Sequence, residues 1–387
     1  MSKVITGNWG FPTKIWAGPG RISELAAACT EAGIKRPLFV TDEGLRDLPI
    51  VVAAMKVLAD NGLPAALYSD VRGNPVEGNV TRGVDAYRAH NADGVVAFGG
   101  GSGLDVGKAI AFMVGQKRPI WDFEDIGDWW TRADADAIAP IVAVPTTSGT
   151  GSEVGRASVV THPDSHEKKI IFHPKMLPEV VISDPELTTG LPPHITAATG
   201  LDAYIHCFEA YCAPGYHPMA EGIALEGMRL CKDALPRAYK DGNDIEARAD
   251  MLSAASMGAT AFQKGLGGVH AISHAVGATY DTHHGLTNAI VLPYMMKTNE
   301  AVISDRMDLL ARVLDLPGKG YTAVMDWTLQ FRQELGIQHT LGEIGVGDDR
   351  ADYIGDLAER DPSAGGNPQK LTAAEYADTF KKSVNGS

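Results

Sequence analysis

The chain changes its hydrophobic period halfway along, and that change limits what it can fold into. From Lys14 to about Pro185, short apolar runs alternate with helical patterns. The runs Pro37–Asp42, Ala65–Ser69, Gly94–Phe98, Ile138–Val144 and Val180–Ser183 read as buried strands. Helical patterns such as Val51–Asn61 and Val80–His90 lie between them. Strand and helix in alternation predict a parallel sheet with crossover helices. After about Leu187 the alternation stops. Ala-, Leu- and Met-rich segments at 196–213, 218–239, 245–262 and 269–279 keep helical spacing, with no strand among them. The reading is a Rossmann-like α/β domain over 1–190 and an all-helical domain over 191–387, divided near Leu191-Pro192-Pro193. A chain of 387 residues exceeds what one hydrophobic core usually organises, which also favours two domains. Pro362–Pro368 reads as a polar loop before a last helix, Ala373–Val384.

Composition excludes several classes of function. The formal net charge is -14 and no basic run interrupts it, which argues against nucleic acid and anionic membrane surfaces. No apolar stretch is long enough to span a bilayer. Met1–Gly10 has no apolar core and is not expected to be a signal peptide. Cys29, Cys207, Cys212 and Cys231 form no CxxC pair, so a reduced, cytoplasmic setting is expected.

The strand ending at Phe98 runs straight into Gly99-Gly100-Gly101-Ser102-Gly103, with a helix expected from about Leu104. Glycines let backbone amides approach a phosphate, and a helix N-terminus adds positive potential. Ser102 and Asp105 have the spacing of a capping box. In the usual dinucleotide fingerprint an acidic residue follows the glycines by about 20 positions. Here the candidate, Asp42, comes before them, at the end of the strand Pro37–Thr41. A carboxylate there could bind ribose hydroxyls and repel a 2′-phosphate, favouring NAD over NADP; the plain alternative is a turn residue. A second polar loop, Pro145–Glu153, carries Thr146, Thr147 and Thr150 at another strand end, where hydroxyls suit phosphate and ribose.

The helical half carries the metal-type residues. Asp202 and His206 are four apart, as are His270 and His274, and His284 follows. A helix turns once in about 3.6 residues, so each pair shares a face. Imidazoles and a carboxylate brought together can hold a divalent metal and leave a position open for a substrate oxygen. Lone histidines are more often ordinary core or surface residues, and His90, His162, His166, His217 and His339 are read that way.

With these pieces the chain resembles the iron-containing (group III) alcohol dehydrogenase family. The matching parts are Gly99–Ser102 with Asp105 and Lys108, Pro145–Thr150 with Glu153, Ser183–Leu187, the Asp202/His206 and His270/His274 helices, His284-Gly285 and Asn367-Pro368. The resemblance covers nearly the whole chain in order. It implies an N-terminal nucleotide-binding domain of dehydroquinate synthase-like architecture, a helical C-terminal domain and an active site in the cleft. It implies Asp202, His206, His270 and His284 as metal ligands, with Fe(II) as the metal and Zn as the alternative. His274 is implied as a proton relay or nicotinamide contact. For NAD it implies Asp42, Gly99, Gly100, Gly101, Ser102, Thr146, Thr147 and Thr150, with Lys169, Leu187 and Leu191 added. A small alcohol or aldehyde is the expected substrate and a homodimer or higher homo-oligomer the expected assembly.

Two departures from the family stand out. His283 takes the place of a usual proline, so two imidazoles compete for the last ligand position. Gln263-Lys264-Gly265 replaces a small, uncharged stretch, and Lys264 or Gln263 is a candidate for binding an oxygen-rich aldehyde; a solvated lysine is the plain alternative. The aromatic segment Trp121–Trp130 is expected to pack simply, with a pocket wall or a subunit contact as the alternatives. The expected reaction is hydride transfer between a primary alcohol and NAD(P). Alternatives are a semialdehyde reductase of the 4-hydroxybutyrate dehydrogenase type, a glycerol dehydrogenase, or a dehydroquinate synthase-like enzyme.

Overall fold

The computed structural model describes residues 7–9, 13–165 and 167–386. His166 and most of Met1–Gly10 lie outside the described residues. The strands are β1 (Gly7–Trp9), β2 (Lys14–Ala17), β3 (Pro37–Val40), β4 (Ala66–Tyr68), β5 (Gly94–Gly99), β6 (Ile141–Pro145), β7 (Ala157–Thr161), β8 (Lys168–Phe172) and β9 (Val180–Ser183). Helices α1 (Leu25–Glu31), α2 (Pro49–Asp60), α3 (Glu77–His90) and α4 (Gly101–Met113) lie among them. The rest is helical: α5 (Pro193–Cys212), α6 (Pro218–Lys240), α7 (Ile245–Ala261), α8 (Gly268–Tyr280), α9 (His284–Val313), α10 (Gly320–Glu334), α11 (Ala351–Arg360) and α12 (Ala373–Asn385). No helix among the described residues is long and apolar enough to cross a membrane.

The chain divides into two compact units. The first comprises Met1–Thr147 and Gly151–Gly190, the second Ser148–Thr150 and Leu191–Ser387. In the first unit the sheet order is β1-β2-β9-β6-β5-β3-β4. All neighbours are parallel except β1, which runs antiparallel on β2. Strands β3, β5, β6 and β9 are buried at every residue. That is the composition a parallel sheet covered on both faces demands, and it is why they read as unbroken apolar runs.

The order reverses at β3. The chain moves from β3 outward to β4, then returns to place β5 on the other side of β3. Such a switch point opens a crevice at the carboxyl ends of the two strands. Val40 pairs with Ala97, so Asp42 and the glycines emerge side by side.

Sequence reading and structure differ in three places. β7 and β8 form a separate antiparallel hairpin, and β1 and β2 edge the main sheet. α4 begins at Gly101, not Leu104, and its N-cap is the extended Gly100 without a side-chain cap. There is no capping box: Asp105 instead accepts hydrogen bonds from Ser152 Oγ and from the Val159 amide. The helix therefore takes in the end of the glycine turn, and its first-turn amides have no intrahelical acceptor. Third, residues 362–366 form a 3-10 turn capped by Asp361.

In the second unit α5 packs against α6, α7 and α9, and its residues from Leu201 to Cys212 are all buried. A helix buried on all sides keeps charged groups only where they are satisfied or functional. On α5 those groups are Asp202, His206 and Glu209.

Candidate active site

Three helices of the second unit bring the metal-type residues together. Asp202 and His206 lie on α5, His270 and His274 on α8, and His284 opens α9. Asp202 Oδ1 is 3.9 Å from His206 Nε2, 3.7 Å from His270 Nε2 and 3.7 Å from His284 Nε2. Ligand atoms of Asp202, His206 and His270 all fall within 4.8 Å of one another. Donor atoms around a divalent ion at about 2.0–2.2 Å lie somewhat closer than this, so a small inward shift closes the set.

The charges of these groups are strongly coupled. Burial opposes the charge on Asp202, but His206, His284 and His270 outweigh it and hold the carboxyl well below its ordinary value. Burial brings His206 down to about 4, which leaves its ring neutral and able to donate a lone pair. For His270 burial is overcome by Glu209 and Asp202, which push it up to about 9.

Glu209 was not anticipated, although it sits one turn beyond His206 on the same face. Its Oε2 is 2.7 Å from His270 Nδ1 and accepts from the Gly267 amide at 2.8 Å, while Oε1 accepts from Val269 N at 2.7 Å. An ionised carboxylate only accepts, so Nδ1 keeps its proton; below about pH 9 Nε2 carries one as well, and it is the loss of this second proton that leaves Nε2 as the lone pair facing Asp202. The free amides at the start of α8 thus find their acceptor in the residue that orients the ring.

Two further residues complete the site. Asn288, four beyond His284, places its Nδ2 2.7 Å from Asp202 Oδ1, 3.2 Å from His270 Nε2 and 3.1 Å from His284 Nε2. Asp361 Oδ2 is 2.9 Å from His274 Nδ1, and Oδ1 accepts from the Ser363 amide. Burial disfavours the Asp361 charge, but His274 and these hydrogen bonds hold its carboxyl below the ordinary value. Asp361 carried no signal in the sequence, being 87 positions from its partner.

His283 has a different job: its Nδ1 accepts from Leu286 N and caps α9. Gly285 is required next to His284 because a Cβ there would meet the Ala198 carbonyl at 2.4 Å. Lys264 does not present a free charge. Its side chain is 1% exposed, and Nζ is held by Glu221 at 2.8 Å and the Tyr211 carbonyl at 3.2 Å. Gln263 donates to the Thr260 carbonyl.

In the first unit, Gly99 has φ 141, and a Cβ there would lie 3.3 Å from Asp42 Oδ2. Thr146 N donates to the Gly99 carbonyl, and Thr147 lies against Gly100. Asp42, Gly99, Gly100, Thr146 and Thr147 therefore share one turn, with Gly101 and Ser102 beginning α4. Asp42 also caps its own turn through Leu45 N, the plain alternative named above. Thr150 belongs with the second unit. Lys169 is held on the small hairpin by Glu124 at 3.2 Å and Glu167 at 3.1 Å. Leu187 is part of the apolar core of the α/β unit, and Leu191 is half-buried. The Trp121–Trp130 segment packs: Trp121 donates to Glu77 and lies against His162 at a tilt of 43°, and Trp130 meets Phe172 and His173 edge-on.

Comparison with known proteins agrees with this arrangement. Residues 12–185 match the family model "Iron-containing alcohol dehydrogenase", and residues 196–384 match its C-terminal counterpart. The chain is 39% identical over 386 residues to a 4-hydroxybutyrate dehydrogenase of Cupriavidus necator, covering 97% of this chain and 99% of that one. It superposes on a 1,3-propanediol oxidoreductase with a TM-score of 0.91 at 32% identity, covering 96% and 97% of the two chains. It superposes on a sulfoacetaldehyde reductase from Bifidobacterium kashiwanohense, solved with NAD+, with a TM-score of 0.87 at 26% identity, covering 99% of each. The chain belongs to the iron-containing alcohol dehydrogenase family and is an oxidoreductase of alcohols and aldehydes.

Proposed function

We propose that the chain interconverts a small primary alcohol and its aldehyde with NAD, at a centre where Asp202, His206, His270 and His284 hold the metal. The observation that carries this reading is one buried carboxylate oxygen within 3.9 Å of three imidazole Nε2 atoms. Iron is the metal of the family's name, and zinc suits the same donors. Such a cation supplies Lewis acidity toward an alcohol oxygen, and NAD supplies the hydride acceptor.

The chain's residues supply the rest. Glu209 fixes the tautomer of His270. Asp361 Oδ2 accepts a hydrogen bond from His274 Nδ1, which keeps that proton on Nδ1 and leaves His274 Nε2 to accept the hydroxyl proton. His274 is 15% exposed at its side chain, so it can pass that proton to water. For the cofactor, the amides at the start of α4 suit a pyrophosphate, and Asp42 suits ribose hydroxyls and disfavours a 2′-phosphate. Thr146, Thr147, Thr150, Lys169 and Leu191 are the remaining proposed contacts. Four buried, unpaired cysteines support a reducing, cytoplasmic setting, and we propose a homo-oligomer there.

The 39% relative makes 4-hydroxybutyrate and its semialdehyde the first pair to assay. That Lys264 Nζ is already held by Glu221 and the Tyr211 carbonyl supports a different group for their carboxylate. The test is NADH formation by metal-loaded protein across neutral and carboxylate-bearing alcohols. His206→Ala should lose metal and rate together. Full metal content and full rate in that variant would sink the reading.

A further inference from the structure

The geometry points to Asn288 as a positioning residue that competes with the metal, holding the ligand atoms in register when no cation is there. This inference rests on the metal-centre reading above. Asn288 is fully buried, and its Nδ2 faces three acceptors, Asp202 Oδ1, His270 Nε2 and His284 Nε2, at 2.7, 3.2 and 3.1 Å. Asp202 Oδ1 is an acceptor whatever protons the rings carry, and it is the nearest of the three at 2.7 Å, so the nitrogen is the end that belongs there. Its Oδ1 makes no hydrogen bond. A buried carboxamide placed for core stability has both ends satisfied. Here only the donor end is, so the ligand atoms decide where this side chain sits.

The chemistry makes the two uses exclusive. Each imidazole Nε2 has a single lone pair, so it cannot accept from Asn288 and bind a cation at once. Asp202 Oδ1 has a second lone pair and can do both. A cation arriving among the ligands must therefore displace the amide from both histidines while leaving its bond to Asp202. Asn288 then stabilises the metal-free protein more than the loaded one, and by linkage it weakens the affinity for metal. In return, three of the four ligand atoms stay assembled, and the chain need not order them at the moment of loading.

The experiment uses the full chain stripped with a chelator and titrated with Zn(II) against a competing chelator. Melting temperatures of the stripped and loaded forms are measured in parallel. Asn288→Ala should bind Zn(II) more tightly, by about tenfold for the one amide hydrogen, shared between the two histidines, that no longer has to be displaced. Its stripped form should melt lower, with the loaded form less affected. Asn288→Asp, which replaces the donor by a second carboxylate, should shift further in the same direction. If a stripped variant does not fold, release of Zn(II) from the loaded variant to excess chelator is measured instead and should be slower than in the unaltered chain. Equal or weaker binding in Asn288→Ala, or release no slower, overturns the inference. Failure of the unaltered chain to take up Zn(II), Fe(II) or Co(II) at one site would instead remove the metal-centre reading.

Discussion

Replacing Glu209 by glutamine tests whether this carboxylate holds the metal centre in working order. Three donors converge on it: Gly267 N and His270 Nδ1 on Oε2, and Val269 N on Oε1. Glutamine is nearly isosteric but offers one acceptor oxygen, so one side of the amide must face a donor. With the oxygen at the Oε2 position, the NH2 group opposes the Val269 amide, leaving buried donors unsatisfied at about 1–3 kcal/mol. With the amide reversed, the NH2 group meets Gly267 N and His270 Nδ1. The ring then accepts at Nδ1 and carries its proton at Nε2, the atom that should face the metal. Either way the ligand is weakened, and metal affinity should fall about 10- to 100-fold. Zn(II) affinity against a competing chelator is the assay, at pH above about 9, where His270 no longer holds a second proton and proton competition drops out. Saturating metal should restore most of kcat, because Glu209 is placed to hold His270 and not the substrate. An affinity within about twofold of the unaltered chain would refute the argument, since no second-sphere carboxylate that fixes a ligand tautomer should be so dispensable.

Other outcomes follow from the same geometry. Asp361→Asn should lower kcat, because one amide oxygen cannot accept from both His274 Nδ1 and Ser363 N and its NH2 group must oppose one of them, with metal content unchanged in elemental analysis. The same substitution should flatten acid denaturation. The Asp361 pKa is depressed on folding, so its contribution is fully present above the ordinary value of 3.8 and is lost as pH falls below that value. Lys264→Met should cost about 1–2 kcal/mol in urea unfolding, since Glu221 is partly exposed and keeps Arg306 as a partner at 3.2 Å. It should lower kcat/KM equally for neutral and carboxylate-bearing alcohols; a selective loss on the charged ones would show that Lys264 reaches substrate. Asp42→Ala should weaken the preference for NAD over NADP, read as the ratio of kcat/KM values.

What the sequence showed depended on how each signal is stored. The central strands were legible because residues such as Val95–Phe98 and Ile141–Val144 are buried on both faces and so form unbroken apolar runs. The hairpin of β7 and β8 was not, because it is only partly buried and its second strand opens with Lys168-Lys169. Its identity depends on pairing across a turn. Helical spacing linked Asp202 to His206 and His270 to His274, but no spacing within one helix can say that α5, α8 and α9 converge. Glu209 and Asn288 were within reach of the same logic, one turn beyond His206 and His284. Asp361 was not, because only the folded chain brings it to His274. Lys264 misled for a related reason: its partner Glu221 is 43 positions away.

The site is built from helical turns in a repeated way. α5 contributes Asp202 and His206 and, one turn on, the carboxylate that orients a ligand of another helix. α9 contributes His284 and, one turn on, the amide that touches ligands of all three helices. Support therefore runs between helices, not along them. Moving one helix disturbs the ligands of the other two, which ties the metal site to the packing of the whole helical unit. Gly285 marks how tightly that packing is drawn, with the Ala198 carbonyl at 2.4 Å from where a Cβ would stand. Gly285→Ala must push α9 away from α5 and so carry His284 and Asn288 away from Asp202. It should lose metal affinity and thermal stability together. Loss of stability with metal affinity intact would mean that the ligands adjust independently of the helices that carry them.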